Sequence, residues 1–104
     1  MRMFLDDERL PPNSWTNYNF VVFRSVIEAK KFIIDNKCPS FISFDHDLGE
    51  NVETGYDFAK WLVDKDLDER NFIPRDFSFD VHSMNPVGAK NIKDLLDQYL
   101  KMRD

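Results

Sequence analysis

Short apolar runs alternate with segments of helical period along most of this 104-residue chain. The strand-like runs are rich in Phe, Val and Ile and lie at residues 2–5, 19–24, 40–44 and 76–83. Segments with apolar residues at helical spacing follow the last three runs, at 25–36, 54–66 and 85–102. Such alternation predicts an α/β fold with a parallel sheet of about four strands and helices on both faces.

Polar residues at the helix ends support these bounds. Ser25 and Glu28 have the spacing of a capping box, and Thr54 is a suitable cap for the second helical segment. Asn85 precedes Pro86, which suits the first position of a helix. The charged stretch 64–70, with Asp66 at the end of the second helical segment, is expected to be solvated. Each predicted helix therefore has a recognisable start.

The connection between the first two strands differs from the others. Residues 8–19 show no helical period and contain Pro11 and Pro12, so they are predicted to form a loop. The other connections are helical, and right-handed crossovers predict the strand order 2-1-3-4.

Composition and charge exclude several classes of protein. A hydrophobic content of 42% argues against disorder, and no apolar run approaches the roughly 20 residues of a membrane span. A net charge of −5 without clustered Lys and Arg argues against binding to duplex nucleic acid. The single Cys38 excludes an internal disulfide and suits a reducing compartment. We therefore expect one cytoplasmic domain over residues 1–104.

Titratable or hydroxyl side chains lie at the carboxyl ends of three of the four predicted strands. They are Asp6 and Asp7 after the first strand, Asp45, His46 and Asp47 after the third, and His82 and Ser83 as the last two residues of the fourth. Each alone has an ordinary explanation as a turn former, a helix cap or a half-buried histidine. Because the carboxyl ends of parallel strands meet at one edge of a sheet, their combination predicts a functional site there.

The carboxylates at this edge predict a metal site. Asp6, Asp7, Asp45 and Asp47 would repel one another unless a divalent cation relieved the repulsion. Oxygen ligands favour Mg²⁺, Mn²⁺ or Ca²⁺, and a histidine ligand would move the choice toward Mn²⁺ or Zn²⁺, so Mg²⁺ or Mn²⁺ is expected ahead of Zn²⁺.

The remaining residues at this edge suit an anionic substrate. Ser83 and Asn85 border the start of the last helix, where free backbone N–H groups favour a phosphate. His46 and His82 are the two histidines of the chain, and such side chains exchange protons near neutral pH. We expect one of them to act as the base and the other as the acid, and the sequence does not indicate which histidine has which role. Together these features indicate chemistry on a phosphate ester.

Three blocks of the chain, FLDDERLPP, FISFDHDLGENVETGYDFAKWL and DVHSMNPVGAKNI, resemble the cyclic-phosphate-processing receiver-like domain family. The resemblance runs from about residue 3 to residue 96. The family is related to the response-regulator receiver domain, which has a flavodoxin-like fold. The resemblance implies a metal-assisted phosphoesterase that acts on a cyclic phosphate, such as a nucleotide or the 2′,3′-cyclic end of an RNA during RNA processing.

The receiver comparison also implies a departure from the phosphorylation switch. Asp6 and Asp7 match the metal-binding acidic pair of receivers, Asp45 matches the phosphate acceptor, and Ser83 matches the Ser or Thr after the fourth strand. No fifth strand ending in Lys follows the last helix, so the fold is expected to be truncated relative to a full receiver. This counts against phosphorelay. The alternative to an enzyme is a non-catalytic adaptor module that recognises a phosphorylated ligand or a protein partner, and the oligomeric state stays open.

Overall fold

The computed structural model of the chain describes residues 1–15 and 19–103. Its strands are β1 (Arg2–Leu5), β2 (Phe20–Phe23), β3 (Phe41–Phe44) and β4 (Ser78–Val81). Its helices are α1 (Val26–Asn36), α2 (Gly55–Asp68) and α3 (Pro86–Met102), and a 3₁₀ turn spans Asn13–Trp15. Among the described residues, no helix is long and apolar enough to cross a membrane.

The four strands form one sheet in the order β2-β1-β3-β4, and every neighbouring pair is parallel. The predicted strand order, the three helices and the α/β fold are therefore confirmed. Positions 16–18 of the predicted first loop and position 104 of the predicted domain lie outside the described residues.

The layering differs from the prediction of helices on both faces, because all three helices pack on one face. One apolar core joins the sheet to the helices, and its members include Met3, Leu5, Ile42 and Phe44 of the strands and Ile33, Leu62 and Ile92 of the helices. The crossovers β2–α1–β3 and β3–α2–β4 run in the same direction across the sheet. Right-handed connections therefore place α1 and α2 on the same face, and α3 packs beside α2.

Aromatic side chains close the opposite face of the sheet. Phe4, Phe20 and Phe41 come from three adjacent strands, and Trp15 packs with them at ring separations of 5.3 to 6.4 Å. The β1–β2 connection passes to this side, but it carries only a 3₁₀ turn in its described part. Because the described part of this connection contains no α-helix, as the sequence predicted, no helix of the described residues covers this face.

Asp66 is buried, although the sequence predicted a solvated helix end. Only 7% of the residue is exposed. Its Oδ1 accepts a hydrogen bond from the Ile73 backbone N–H, and its Oδ2 accepts one from the Tyr99 hydroxyl and one from Arg103. Tyr99 and Arg103 are 33 and 37 positions away in the chain, so the helical spacing of residues around Asp66 does not reveal these hydrogen bonds.

We expect Asp66→Asn to lower the free energy of unfolding by about 1–3 kcal/mol at neutral pH, because a buried acceptor becomes a donor facing other donors. Burial by itself raises the pKa of Asp66, but hydrogen bonds from Tyr99, Ile73 and Arg103 outweigh it, and the pKa lies below its ordinary value of 3.8. The ionised carboxylate therefore stabilises the fold above that ordinary value, and this contribution disappears as the pH falls through the lowered pKa.

Urea denaturation at several pH values would measure this effect. The difference between wild type and Asp66→Asn should be constant near neutral pH and should shrink below roughly pH 4. Asp64→Asn is the matched control, because Asp64 is an exposed residue of the same helix. An equal loss of stability in both variants would contradict the prediction.

Candidate functional site

The carboxyl ends of β1, β3 and β4 border an open cleft of about 670 Å³. Five of the predicted site residues line it, namely Asp6, Asp7, Asp45, Asp47 and Ser83. They meet because parallel strands with matched register end at the same level. We call this side of the sheet the carboxyl edge.

Asp6 is the most buried residue of the cleft, with 1% of its surface exposed. Its Oδ1 accepts hydrogen bonds from the backbone N–H groups of Glu8 and Arg9, both at 2.8 Å. Its Oδ2 accepts one from Arg9 Nε at 2.9 Å and contacts His82 Nε2 at 3.1 Å. Burial by itself raises the pKa of Asp6, but these hydrogen bonds and the Arg9 charge hold it below its ordinary value. Asp6 is therefore a carboxylate at neutral pH.

Asp45 lies beside Asp6 and has the opposite pKa shift. Its Oδ1 accepts a hydrogen bond from the His46 backbone N–H at 2.9 Å and lies 3.8 Å from Arg9 Nη2. Burial and the negative charge of Asp6 raise the pKa of Asp45. Two carboxylates are thus held close together, and a positive charge between them is favourable.

His82 is held between Ser43 and Asp6. Its Nδ1 lies 2.7 Å from Ser43 Oγ, and its ring stacks on Phe4 with 4.3 Å between ring centroids. Since the Asp6 carboxylate can only accept, His82 Nε2 carries the proton and Nδ1 accepts the Ser43 hydroxyl proton. Burial lowers the pKa of His82, although Asp6 and Asp45 oppose this. The ring is therefore neutral, with both nitrogens engaged.

His46 lies on the helix side of the sheet, against α3. A Cβ atom built on Gly88 would lie 2.3 Å from His46 Cγ, so the ring packs directly on that glycine. Its Nδ1 lies 2.7 Å from Asp47 Oδ1, and Asn85 donates to Asp47 Oδ2 at 3.3 Å. The hydrogen bond from His46 is the main reason why the pKa of Asp47 lies below its ordinary value. Nε2 of His46 has no hydrogen bond within the described part of the chain.

Ser83 and Asn85 have different surroundings. Asn85 Oδ1 caps α3 by accepting the Gly88 N–H at 3.0 Å, as its place before Pro86 predicted. Ser83 Oγ accepts the Asn85 backbone N–H at 3.0 Å and lines the cleft. This leaves the Ser83 hydroxyl proton able to bond an anion in the cleft.

Six of the eight predicted site residues thus fall into two groups. The acidic group consists of Asp6, Asp45 and His82, with one possible ligand atom from each lying within 4.8 Å of the others. The His46 group consists of His46, Asp47 and Asn85. Neither histidine contacts the other, because His46 packs on α3 and His82 packs on the aromatic face. The two histidines that were predicted to act as acid and base therefore lie apart, and their roles stay a prediction.

The donor set of the acidic group fits a divalent cation. Two carboxylate oxygens and one imidazole nitrogen are within reach of one ion, and Asp6 is charged at neutral pH. This combination suits Mn²⁺ or Mg²⁺. Ligation through His82 Nε2 would replace its hydrogen bond to Asp6. Asp7 and Asp47 line the cleft without belonging to this set of three.

Sequence reasoning missed Arg9 and Ser43. Arg9 contacts Asp6, Asp45 and the carbonyl of His82, and its place three residues after Asp6 was the available signal. Ser43 is fully buried and bonds His82. A lone hydroxyl inside the apolar strand FISF was its signal, because a buried polar group needs a partner.

We expect Gly88→Ala to lower the free energy of unfolding by about 1–3 kcal/mol, because the new methyl group would overlap the His46 ring. Urea denaturation of the variant would measure this cost. Gly88→Ala combined with His46→Ala should recover most of it, because the truncated side chain leaves room for the methyl group. If the losses in the free energy of unfolding of the two single variants simply add in the double variant, the His46 ring is not the reason why residue 88 must be glycine.

Comparison with known proteins supplies one match. The model of the cyclic-phosphate processing receiver domain family matches residues 1–98. No curated protein and no solved structure shows significant similarity to the chain. The family match spans the whole sheet and the strand ends that carry Asp6, Asp45 and His82. The chain therefore belongs to the cyclic-phosphate processing receiver domain family.

Proposed function

We propose that the protein is a metal-assisted phosphoesterase that opens a cyclic phosphate, such as a cyclic nucleotide or the 2′,3′-cyclic end of an RNA. The observation that carries this proposal is the convergence of Asp6, Asp45 and His82 at the carboxyl edge, beside a cleft that Asp6, Asp45 and Ser83 line. The association of the family with cyclic-phosphate processing supports the choice of substrate. The buried, single Cys38 agrees with the cytoplasm as the expected location.

Asp6 and Asp45 would hold the cation, with Asp7 at the side of the cleft. A bound Mg²⁺ or Mn²⁺ would neutralise charge on the phosphate and orient it. The Ser83 hydroxyl would donate to a phosphate oxygen. His82 would act on Asp6 as a positioning residue, because its ring is packed and both nitrogens are engaged.

We assign proton transfer to His46, which does not itself line the cleft but bonds Asp47, which does. Its Nδ1 proton is donated to Asp47, which leaves Nε2 as the acceptor, and 17% of the side chain is exposed. A water molecule that loses a proton to Nε2 would attack phosphorus, and one ester P–O bond of the ring would break. The leaving oxygen would take a proton from solvent, His46 would release its added proton to solvent, and the product would be a phosphate monoester.

Turnover is the direct test of this function. The purified protein would be incubated with 2′,3′- and 3′,5′-cyclic nucleotides and with RNA carrying a 2′,3′-cyclic end, in Mg²⁺ and in Mn²⁺. We expect a phosphate monoester product with at least one of these substrates and none without a divalent cation. Binding of a phosphorylated ligand without turnover of any of them would favour the adaptor module instead.

Metal binding is expected to depend on the acidic group. Asp6→Asn and Asp45→Asn should each weaken Mn²⁺ binding by at least about tenfold, since each removes an anionic oxygen ligand. Isothermal titration calorimetry would measure the affinity. Asp80→Asn is the matched control, because Asp80 is an exposed residue of β4 away from the cleft. Equal affinity in all three variants would contradict the site as described.

A further inference from the structure

Arg9 spans the acidic group. Its Nε lies 2.9 Å from Asp6 Oδ2, and its Nη2 lies 3.8 Å from Asp45 Oδ1. Nη2 also donates to the His82 carbonyl at 3.2 Å. The guanidinium therefore contacts both carboxylates whose oxygens converge with His82 Nε2. It neutralises the same pair of charges that a divalent cation would neutralise.

A cation and the Arg9 guanidinium would compete for this position. Asp6 Oδ2 already accepts hydrogen bonds from Arg9 and His82, so little of its surface is left for a metal ion. A divalent ion bound to that oxygen would also place two positive centres a few ångströms apart, where their repulsion is strong. The guanidinium must therefore move when the cation binds.

The backbone of Arg9 is anchored while its side chain has room to move. The Arg9 N–H donates to Asp6 Oδ1 at 2.8 Å, and the Arg9 carbonyl accepts from Arg24 Nη1 at 2.6 Å. The side chain is 45% exposed and borders the cleft. A displaced guanidinium would thus remain over the cleft.

The cleft gives a displaced guanidinium an obvious partner. Its other charged lining residues are acidic, and Arg9 is the only basic residue among the described residues that line it. A phosphate group in such surroundings needs a positive charge besides the metal. The planar fork of an arginine matches two phosphate oxygens at once.

We propose that Arg9 is a displaceable counter-ion of the acidic group. It holds Asp6 and Asp45 together until a divalent cation takes its place, and the freed guanidinium then binds the phosphate of the substrate. The second half of this inference rests on the proposed function, while the first half concerns metal binding alone.

The first half predicts that a mutation beside the metal site increases the affinity for the metal, which is unusual. Arg9→Met should bind Mn²⁺ at least about tenfold more tightly than wild type in calorimetric titrations without substrate, because the competing charge is gone. Arg70→Met is the matched control, since Arg70 is an exposed arginine outside the cleft, and it should leave the affinity unchanged. Unchanged or weaker binding by Arg9→Met, or no Mn²⁺ binding by either protein, would overturn the inference.

The second half predicts that the same mutation decreases the affinity for a phosphate ligand. Adenosine 3′-phosphate should bind Mg²⁺-saturated Arg9→Met at least about tenfold more weakly than Mg²⁺-saturated wild type. Without the metal, the two proteins should differ little. Equal affinity in the presence of Mg²⁺ would overturn the phosphate role.

Two further results separate this inference from the proposed function. Tighter Mn²⁺ binding by Arg9→Met in a protein that turns over no cyclic phosphate would contradict the enzymatic function and support the counter-ion role of Arg9. Turnover by wild type, together with unchanged Mn²⁺ affinity in Arg9→Met, would support the enzymatic function and contradict the counter-ion role. Arg9→Gln is the second variant if Arg9→Met fails to fold by circular dichroism, and the same signs are expected for it.

Discussion

Replacing His46 by Ala is expected to lower the rate of cyclic-phosphate opening by about 10²–10⁴-fold, the usual cost of losing a positioned general base or acid. The reason is that Nε2 of His46 has no hydrogen bond to any described residue, whereas both nitrogens of His82 are bonded within the protein. The measurement is kcat on the best substrate of the cyclic-phosphate panel at saturating Mg²⁺. The affinity for Mn²⁺ should stay near the wild-type value, because His46 lies outside the acidic group.

His82→Ala is the informative comparison, because it should change a different quantity. Loss of His82 removes a hydrogen bond to Asp6 and a possible ligand atom, so the affinity for Mn²⁺ should fall. Excess metal should then recover part of the activity of His82→Ala and none of that of His46→Ala. A folded His46→Ala protein with wild-type kcat would exclude His46 from the mechanism. Circular dichroism and thermal denaturation would verify the fold of both variants.

Gly55→Ala is expected to lower the free energy of unfolding by more than about 3 kcal/mol, at the upper end of overpacking effects. Gly55 is the first residue of α2, and a Cβ atom there would lie only 1.9 Å from the Asp45 carbonyl oxygen. Its N–H also donates to the His46 carbonyl at 2.9 Å, so the helix start is tied to the chain that follows β3. The methyl group must therefore shift α2 or the backbone that carries Asp45. Urea denaturation and Mn²⁺ titration would measure the two consequences.

The two helical glycines provide the control for each other. The clash at Gly88 involves a side chain, so His46→Ala should relieve it, whereas the clash at Gly55 involves a backbone carbonyl that no truncation removes. Gly55→Ala combined with His46→Ala should therefore be no more stable than Gly55→Ala alone. A Gly55→Ala protein within about 1 kcal/mol of wild type would show that α2 does not begin against Asp45.

Much of the fold and of the site location followed from local patterns. The alternation of strand-like and helix-like segments predicted the parallel sheet and its order, and Ser25, Thr54 and Asn85 cap the helices at the predicted starts. The meeting of Asp6 and Asp45 was also predictable, since strands that run in one direction end at one edge. These features depend on backbone geometry and on neighbours a few residues apart, which a single sequence displays.

The tertiary structure decided on which face of the sheet the helices pack and which side chains of the site contact one another. Right-handed crossovers in one direction placed the helices on a single face. The two histidines lie on opposite sides of the sheet, because β3 pairs with β4 at Phe44 and Val81, and His46 and His82 follow that pair by two positions and by one. Arg9 between the two carboxylates, and Asp66 in a buried ion pair, became visible only once the chain was folded.

The sequence by itself therefore determined which segments form strands and helices and which edge of the sheet collects the polar residues. The tertiary structure decided which of those residues form hydrogen bonds with partners far away in the chain. His82 bonds Ser43 and Asp6 across 39 and 76 positions of the chain, and no local period reports contacts at such separations. They form because a buried polar group must find a hydrogen-bond partner wherever packing places one.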